Sequence, residues 1–155
     1  MKVSREILFK AKRKDNGKWV EGYYVKFKLE PNTNLSDVIF IPFKADRNGE
    51  WGWIKVDPDT LCQYTGLQDK NGRKIWENDI LRGCQYPYLS DGNCNYYAEV
   101  IWFENCHAFG IYTFKNPKSN VRGISEGNTE LMEDWISEDW EVIGNIFDNA
   151  ELLEG

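Results

Sequence analysis

The sequence lacks most of the residue patterns by which an enzyme is recognised. It contains a single histidine, His107, which follows Cys106. A Cys–His catalytic pair needs facing side chains within hydrogen-bond reach, whereas neighbouring residues on a strand point to opposite faces. The glycine-rich loops that bind nucleotide phosphates are missing in both their P-loop and dinucleotide forms. We therefore predict no enzymatic activity, no catalytic residues and no cofactor.

The sequence also lacks the spacing of cysteine residues that is typical of a metal site. A structural zinc site usually takes two ligands from one tight turn, and no C-x-x-C pair occurs among Cys62, Cys84, Cys94 and Cys106. Two acidic pairs have the ligand type that a hard cation prefers, but they fit turn chemistry better: Asp57 with Asp59, and Glu77 with Asp79. We predict no metal site, and four reduced, mostly buried thiols.

Long apolar runs are absent. The N-terminal region offers only Ile7-Leu8-Phe9, far short of a signal-peptide core, and no window approaches the length of a membrane span. These absences predict a protein of the cytoplasm with no membrane partner, a compartment in which disulfides are rare.

What the sequence does contain is an aromatic-rich globular composition. Of its 155 residues, 41% are hydrophobic and 15% are aromatic, and aromatic residues favour strands. Short apolar runs separated by turn residues predict a mainly β fold with few short helices. We expect an N-terminal subdomain over residues 1–60, made of a β-hairpin and a small sheet. Strand spacing over residues 61–155 predicts a small SH3-like barrel.

Residues 5–30 predict a β-hairpin, because the segment 15–17 (Asp-Asn-Gly) tolerates positive φ and aromatic runs flank it. A three-residue loop sets Phe9 opposite Tyr23, and a one-residue slip would mix the two faces. One face is then apolar and belongs to the core: Phe9, Ala11, Trp19, Tyr23, Val25 and Phe27. The other is basic and is either solvated or a binding surface; it holds Lys10, Lys12, Lys26 and Lys28, with Leu8, Val20 and Tyr24 among them.

Two tryptophans, Trp51 and Trp53, fall on one face of a strand predicted over residues 51–56. Core packing is the favoured explanation, because large aromatic side chains dominate cores. Their alternative role is a stacking platform for nucleic acid bases.

The segment QYTGLQDKNGRKIWENDIL, residues 63–81, has a definite pattern but no catalytic group. We interpret it as a short strand ending at Gly66, a tight turn at Asn71-Gly72, an extended Lys74–Trp76 and a further turn before residue 80. Downstream, the sequence predicts strands over 97–104 and 108–114, a short helix over 129–136 and a closing strand over 140–147.

Charge is distributed unevenly. Residues 1–28 carry a net charge of +6, residues 29–122 a net of −2, and residues 123–155 a net of −10 with no Lys or Arg. A basic head and an acidic tail can neutralise each other within one chain or between copies, or both can be solvated faces. Charge asymmetry bears on association rather than on fold.

Three blocks of the chain resemble the YopX family of phage and prophage proteins: SREILFKAKRKDNGKWVEGYYV, VDPDTLCQYTGLQDKNGRKIWENDIL and EVIGNIFDNAELLEG. The similarity covers residues 5–154, with a variable stretch between about 83 and 138. Departures are small: Ala150 replaces the family's usual Pro, and Asn78 its usual Gly. The resemblance implies a mainly β fold with an SH3-like C-terminal part. It implies no activity, cofactor or catalytic residue.

The functional prediction is a non-enzymatic phage or prophage protein of the host cytoplasm that binds a protein partner or another copy of itself. The alternative is an accessory protein that binds nucleic acid. The sequence pI near 4.9 argues against this alternative, because nucleic-acid binders usually carry a dominant basic field. The candidate binding residues are Lys10, Lys12, Arg13, Tyr24, Lys26, Lys28, Trp51 and Trp53.

Overall fold

The computed structural model describes residues 6–41, 52–84, 95–115, 128–134 and 136–154. Its strands, in chain order, are β1 (Phe9–Lys12), β2 (Trp19–Phe27), β3 (Ser36–Ile41), β4 (Gly52–Lys55), β5 (Cys62–Gln68), β6 (Lys74–Trp76), β7 (Asp79–Gly83), β8 (Tyr96–Phe103), β9 (Ala108–Lys115), β10 (Asn128–Leu131) and β11 (Trp140–Asn145). One short helix, α1 (Ile136–Asp139), and two 3-10 turns, Pro58–Thr60 and Ala150–Glu154, complete the described elements. The prediction of a mainly β fold with few short helices is confirmed.

The chain divides into two compact units, Met1–Tyr64 and Thr65–Gly155. The division falls within β5, whereas the sequence placed a boundary after residue 60. Each unit has its own buried cluster.

In the first unit the strands lie in the order β4-β3-β2-β1-β5, with antiparallel neighbours. An isolated bridge joins Arg13 to Val56, and the Asp57 N–H donates to the Lys12 carbonyl at 2.8 Å, so the end of β4 returns to the end of β1. The enclosed core consists of Ala11, Val20, Ile39 and Val56, with Phe9, Ile41, Ile54 and Leu61 packed against it.

The predicted register of the β1–β2 hairpin is wrong by one residue. Phe9 lies opposite Gly22, not Tyr23. The loop is residues 14–17, one residue longer than predicted. It is closed by the Arg13 N–H donating to the Lys18 carbonyl and by the Gly17 N–H donating to the Arg13 carbonyl, each at 2.9 Å. Gly17 takes the positive φ of +69° that the turn requires.

This slip exchanges the faces of β2 relative to β1. Residues paired across antiparallel strands share a face, so Val20 lies with Ala11 in the core and Trp19 lies with Lys12 on the outside. The side chains predicted to form one apolar face are therefore divided. Phe9 and Ala11 face the core, while the outer face holds Trp19, Tyr23, Val25 and Phe27.

The second unit contains a five-stranded antiparallel sheet in the order β10-β9-β8-β7-β11. β6 precedes it, and the Thr65 hydroxyl on β5 donates to the Ile75 carbonyl on β6 at 2.8 Å. The buried cluster of this unit contains Ile75, Leu81, Tyr96, Ala98, Val100, Ile111, Ile136 and Trp140. The sheet is antiparallel as expected; its closure into an SH3-like barrel stays a prediction.

The segment Gln63–Leu81 is built from turns. β5 continues through Gly66 at φ +93° instead of ending there, which corrects the predicted strand end. Gly72 at φ +78° and Asn78 at φ +66° form the two turns that follow. The Asp79 carboxylate accepts the Trp76 N–H at 2.9 Å across the second of these turns. The interpretation of this segment as turn chemistry is therefore supported by its hydrogen bonds.

The predicted helix over residues 129–136 is wrong. Residues Asn128–Leu131 form β10, which pairs with β9 from Thr113 to Gly110. The Met132 N–H then donates to the Phe109 carbonyl at 3.0 Å. The edge of β9 therefore supplies partners that override a weak helical pattern, and the helix begins only at Ile136.

Candidate functional site: an aromatic face beside a basic cavity

The outer face of β2, β3 and β4 carries a group of large apolar side chains that we call the aromatic face: Trp19, Tyr23, Val25, Phe27, Phe40 and Trp53. Four of them are substantially exposed, namely Tyr23 (48%), Phe27 (44%), Trp53 (41%) and Val25 (36%). Single exposed apolar residues are ordinary on a protein surface, whereas a contiguous group is typical of an interaction site.

The rings of the aromatic face contact one another. Phe27 and Trp53 are stacked, with centroids 5.1 Å apart and an interplanar angle of 12°. Phe40 lies against the same indole at 4.5 Å and 31°. Val38 lies between Ser36 and Phe40 on this face and is fully buried. Part of the ring surface therefore serves stability, and the remainder is open to solvent.

Two lysines flank the aromatic face at β1. The Lys10 and Lys12 ammonium groups lie 5.0 and 5.5 Å from the Trp19 ring centroid, within the distance of a cation–π interaction. Glu21 lies opposite Lys10 in the ladder, so this edge carries mixed charge.

A cavity of ≈ 460 Å³ adjoins Trp53, and we call it the basic cavity. Its residues come from the hairpin loop, from the segment after β2 and from β4: Arg13, Lys14, Asp15, Leu29, Trp53, Ile54 and Lys55. The Lys14 N–H donates to the Lys55 carbonyl at 3.1 Å, which holds the loop beside β4. The cavity therefore combines an apolar wall with three cationic side chains and one carboxylate.

Arg13 and Asp15 form a two-point ion pair within this cavity. Arg13 Nε and Nη2 donate to the two Asp15 carboxylate oxygens at 2.8 and 2.5 Å. This hydrogen bond raises the pKa of Arg13 and lowers the pKa of Asp15. Because Asp15 is matched by Arg13, the net positive charge of the cavity comes from Lys14 and Lys55.

The sequence-predicted basic residues do not form one surface. Tyr24 and Lys26 lie on the opposite face from Lys10 and Lys12, because of the register change. Their partner is Asp37, which accepts the Tyr24 hydroxyl at 2.5 Å and lies 3.8 Å from the Lys26 Nζ. Burial, followed by the hydrogen bond to Asp37, raises the pKa of Tyr24 to about 12.

The four remaining predicted residues have different outcomes. Arg13 lines the basic cavity, and Lys28 is exposed just after β2. Trp53 is an exposed member of the aromatic face, whereas core packing was its favoured role. Trp51 lies outside the described residues.

Sequence reasoning missed Tyr23, Val25, Phe27, Phe40 and Lys55 as surface residues of this site. Alternation along β2 separates its two faces correctly, but it does not say which face is inside. The closing hydrogen bonds of the hairpin loop determine that choice.

Cys106 and His107 are adjacent exposed residues of the turn between β8 and β9. Cys106 is exposed and lines a second cavity, of ≈ 390 Å³, with Trp102, Glu104 and Leu131 among its neighbours. His107 occupies the β8–β9 turn at φ +50° and is not among the lining residues.

The cysteines and acidic pairs have local roles. Cys62 is a buried free thiol, but Cys84 is disulfide-bonded, so the prediction of four reduced thiols is wrong. Asp57 accepts the Asp59 N–H at 3.1 Å in the 3-10 turn. Within the described ranges, no group of three or more His, Cys, Asp or Glu side chains is arranged to hold a metal ion.

Among the described residues, no helix combines the length and the apolar character needed to cross a membrane.

Comparisons with known proteins agree with the resemblance drawn from the sequence. The YopX protein family model matches residues 8–154. No curated protein matches the chain. Among solved structures, the crystal structure of protein EF1440 from Enterococcus faecalis has a similar fold, with a TM-score of 0.50 and 22% sequence identity. The match covers 97% of this chain and 99% of that one. Because the family model matches nearly the whole chain, the protein belongs to the YopX family.

Proposed function

We propose that this chain is a non-enzymatic binding protein of a phage or prophage, acting in the host cytoplasm, and that the aromatic face binds a protein partner. The observation that carries the proposal is the exposure of Tyr23, Val25, Phe27 and Trp53 together on one face of the first unit.

The residue types of the aromatic face favour a protein as the partner. Interface hot spots are enriched in Trp, Tyr and Arg, and they lie in contact with one another near the centre of the buried patch. The stacked Phe27 and Trp53 rings supply such a centre. Rings that already contact each other lose little conformational freedom on binding, which lowers the entropic cost of association.

The proposal is tested with two matched tyrosine variants. Tyr23 on β2 and Tyr112 on β9 are both exposed strand tyrosines, but only Tyr23 belongs to the aromatic face. Tagged wild-type protein, Tyr23→Ser and Tyr112→Ser are used to capture partners from nuclease-treated infected-host lysate, with quantification by mass spectrometry. The affinity for the captured protein is then measured with purified components.

We expect Tyr23→Ser to weaken binding about 30-fold, the equivalent of about 2 kcal/mol for a hot-spot residue, and Tyr112→Ser to bind like wild type. Trp53→Ala is a second aromatic-face variant, read together with its unfolding curve because Trp53 also contributes to the ring cluster. Equal capture by wild type, Tyr23→Ser and Trp53→Ala would contradict the proposal.

A second candidate function, binding of single-stranded nucleic acid, is favoured by Lys10 and Lys12 against the Trp19 ring. Proteins that bind single strands combine cationic side chains with aromatic rings on which bases stack. Here the same surface carries exposed rings and lysines side by side.

Fluorescence anisotropy with short single-stranded and double-stranded probes at low salt separates the two functions. Nucleic-acid binding predicts a strong decrease in affinity with added salt and a loss of affinity in the double variant Lys10→Gln/Lys12→Gln. If no probe binds at low salt, where the electrostatic contribution is largest, this second function is excluded.

A further inference from the structure

The second unit presents a small surface whose chemistry is the reverse of the basic cavity. In the 3-10 turn Ala150–Glu154, the side chains of Glu151, Leu153 and Glu154 are exposed, while Leu152 is half-buried. We call these three exposed residues the acidic tip. Leu153 is 38% exposed, precedes Glu154 directly and lies two residues after Glu151.

The basic cavity has complementary features. Leu29, Trp53 and Ile54 provide an apolar wall, and Lys14 and Lys55 provide positive charge that the Arg13–Asp15 pair does not cancel. A volume of ≈ 460 Å³ falls within the usual range of ligand-binding clefts, about 300–1,000 Å³. An exposed leucine on a turn that also carries two carboxylates therefore matches the apolar wall and the positive charge of the cavity.

We propose that the acidic tip of one copy binds in the basic cavity of another copy, with Leu153 against Trp53 and with Glu151 and Glu154 near Lys14 and Lys55. The inference rests on the proposed binding function and names a second copy of this chain as a partner.

The distribution of charge between the two units supports a second copy of the chain as the occupant of the basic cavity. The first unit carries 12 Lys and Arg against 9 Asp and Glu, a net of +3, and the second carries 7 against 16, a net of −9. Two copies therefore attract when the first unit of one meets the second unit of the other, and they repel when the two second units meet. Complementary charge of this kind guides orientation as well as encounter.

The interface would be heterologous, because two different surfaces meet. Such contacts produce a closed ring when the rotation between copies closes and an open chain when it does not. Until the assembly closes, the copy at one end keeps an unused cavity and the copy at the other end keeps an unused tip. The two surfaces are distinct, so each can be disabled separately.

The test uses the full chain and three double variants. Lys14→Gln/Lys55→Gln disables the cavity, and Glu151→Gln/Glu154→Gln disables the tip. Lys18→Gln/Lys28→Gln is the matched control, because it removes two exposed lysines of the first unit that do not line the cavity. All six positions are exposed, so each variant is expected to fold. Assembly is measured by sedimentation velocity over a range of concentrations.

We expect wild type to assemble at about 0.01 M salt, where the Debye length is about 30 Å, and to dissociate near 1 M salt, where it is about 3 Å. The cavity variant and the tip variant each weaken association about tenfold, whereas the lysine control assembles like wild type. At a concentration where each variant alone stays monomeric, an equimolar mixture of the cavity variant and the tip variant forms 1:1 dimers and nothing larger, because each pair contains only one intact cavity and one intact tip.

A wild-type protein that stays monomeric at low salt would overturn the inference, and so would a mixture that stays monomeric or variants that assemble like wild type. These failures are distinguishable from failure of the proposed function. If Tyr23-dependent capture of another protein persists while the chain is monomeric, the aromatic face binds a different partner and the self-association is rejected.

Discussion

The carboxylate of Asp69 shows how one buried side chain organises the second unit. It accepts the N–H groups of Asn71 and Arg73 on Oδ1 at 2.8 and 2.9 Å, and that of Val142 on Oδ2 at 2.9 Å. Two of these bonds close the local turn, and the third reaches β11, 73 residues along the chain. The side chain is only 4% exposed, so its three partners depend on it instead of on water.

Asp69→Asn is predicted to destabilise the second unit. The amide replaces one acceptor oxygen with a donor and leaves at least one N–H without a partner, at a cost of about 1–3 kcal/mol. The urea unfolding midpoint measures the change. Asp57→Asn is the control, because the Asp57 carboxylate accepts one exposed local bond, from the Asp59 N–H, and the amide keeps an acceptor. Its effect should stay within about 0.5 kcal/mol. Equal effects of the two variants would contradict the role of Asp69.

The carboxyl groups of Glu99 and Glu130 are expected to make the stability of the second unit depend on pH. Burial raises the pKa of both carboxyls, and repulsion by Glu133 adds to the effect at Glu130. A carboxyl whose pKa is raised in the folded state contributes stability below its unfolded pKa, and this contribution is lost as the pH rises through the folded pKa.

We therefore expect Glu99→Gln to raise the urea midpoint slightly at pH 7. At about pH 3.5, below the unfolded glutamate pKa of about 4.3, the variant and wild type should agree. Glu154→Gln, at an exposed position, serves as the control at both pH values. A midpoint that falls at pH 7 in Glu99→Gln would contradict the burial effect.

At the scale of elements, the length of the loop determines the register of the β1–β2 hairpin. The pattern of the sequence identified the two strands and the turn residues, because these depend on neighbours in the chain. The loop length was predicted one residue too short, and a shift of one residue exchanges the two faces of a strand. The core and outer surface of β2 were therefore assigned the wrong way round.

A substitution at Gly22 tests the observed pairing of β2 with β3. A Cβ at this position would lie 2.4 Å from the Phe40 carbonyl oxygen on β3, a backbone atom that cannot turn away. Gly22→Ala should therefore cost about 3 kcal/mol, at the upper end of overpacking effects, and should increase amide exchange along β2 and β3. Gly17→Ala meets no atom within 4 Å but keeps φ at +69°, so it should cost only about 1–2 kcal/mol. If Gly22→Ala is the milder variant, the close approach of β2 and β3 is wrong.

At the scale of the whole molecule, the two units differ in net charge, +3 against −9. Net charge far from zero destabilises a compact state through self-repulsion, and added salt screens that repulsion. We predict that raising the salt concentration from about 0.01 M to 0.15 M increases hydrogen-exchange protection in peptides from residues 65–155 more than in peptides from residues 1–64.

Mass-spectrometric hydrogen exchange at fixed pH measures the two units in one experiment. The protein is kept dilute, at a concentration where sedimentation shows monomers, so that association does not contribute. A larger gain in the first unit, or a loss of protection in the second, would contradict the prediction.

The sequence by itself determined the mainly β class, the turns at Gly17 and Gly72, most strand positions and the family. These features follow from alternation and turn chemistry within short windows, which do not depend on distant residues. The same local logic explains why the turns within Gln63–Leu81 were identified from the sequence.

Tertiary structure alone decided that residues 128–131 join β9 as a strand, and that Trp53 and Lys55 line one cavity with residues 13–15. Each of these depends on a pairing between segments far apart in the chain, where the free energy comes from packing and shared hydrogen bonds and not from local preference. The aromatic face and the basic cavity therefore could not be predicted from the sequence, because each is formed by residues that only the folded chain brings together.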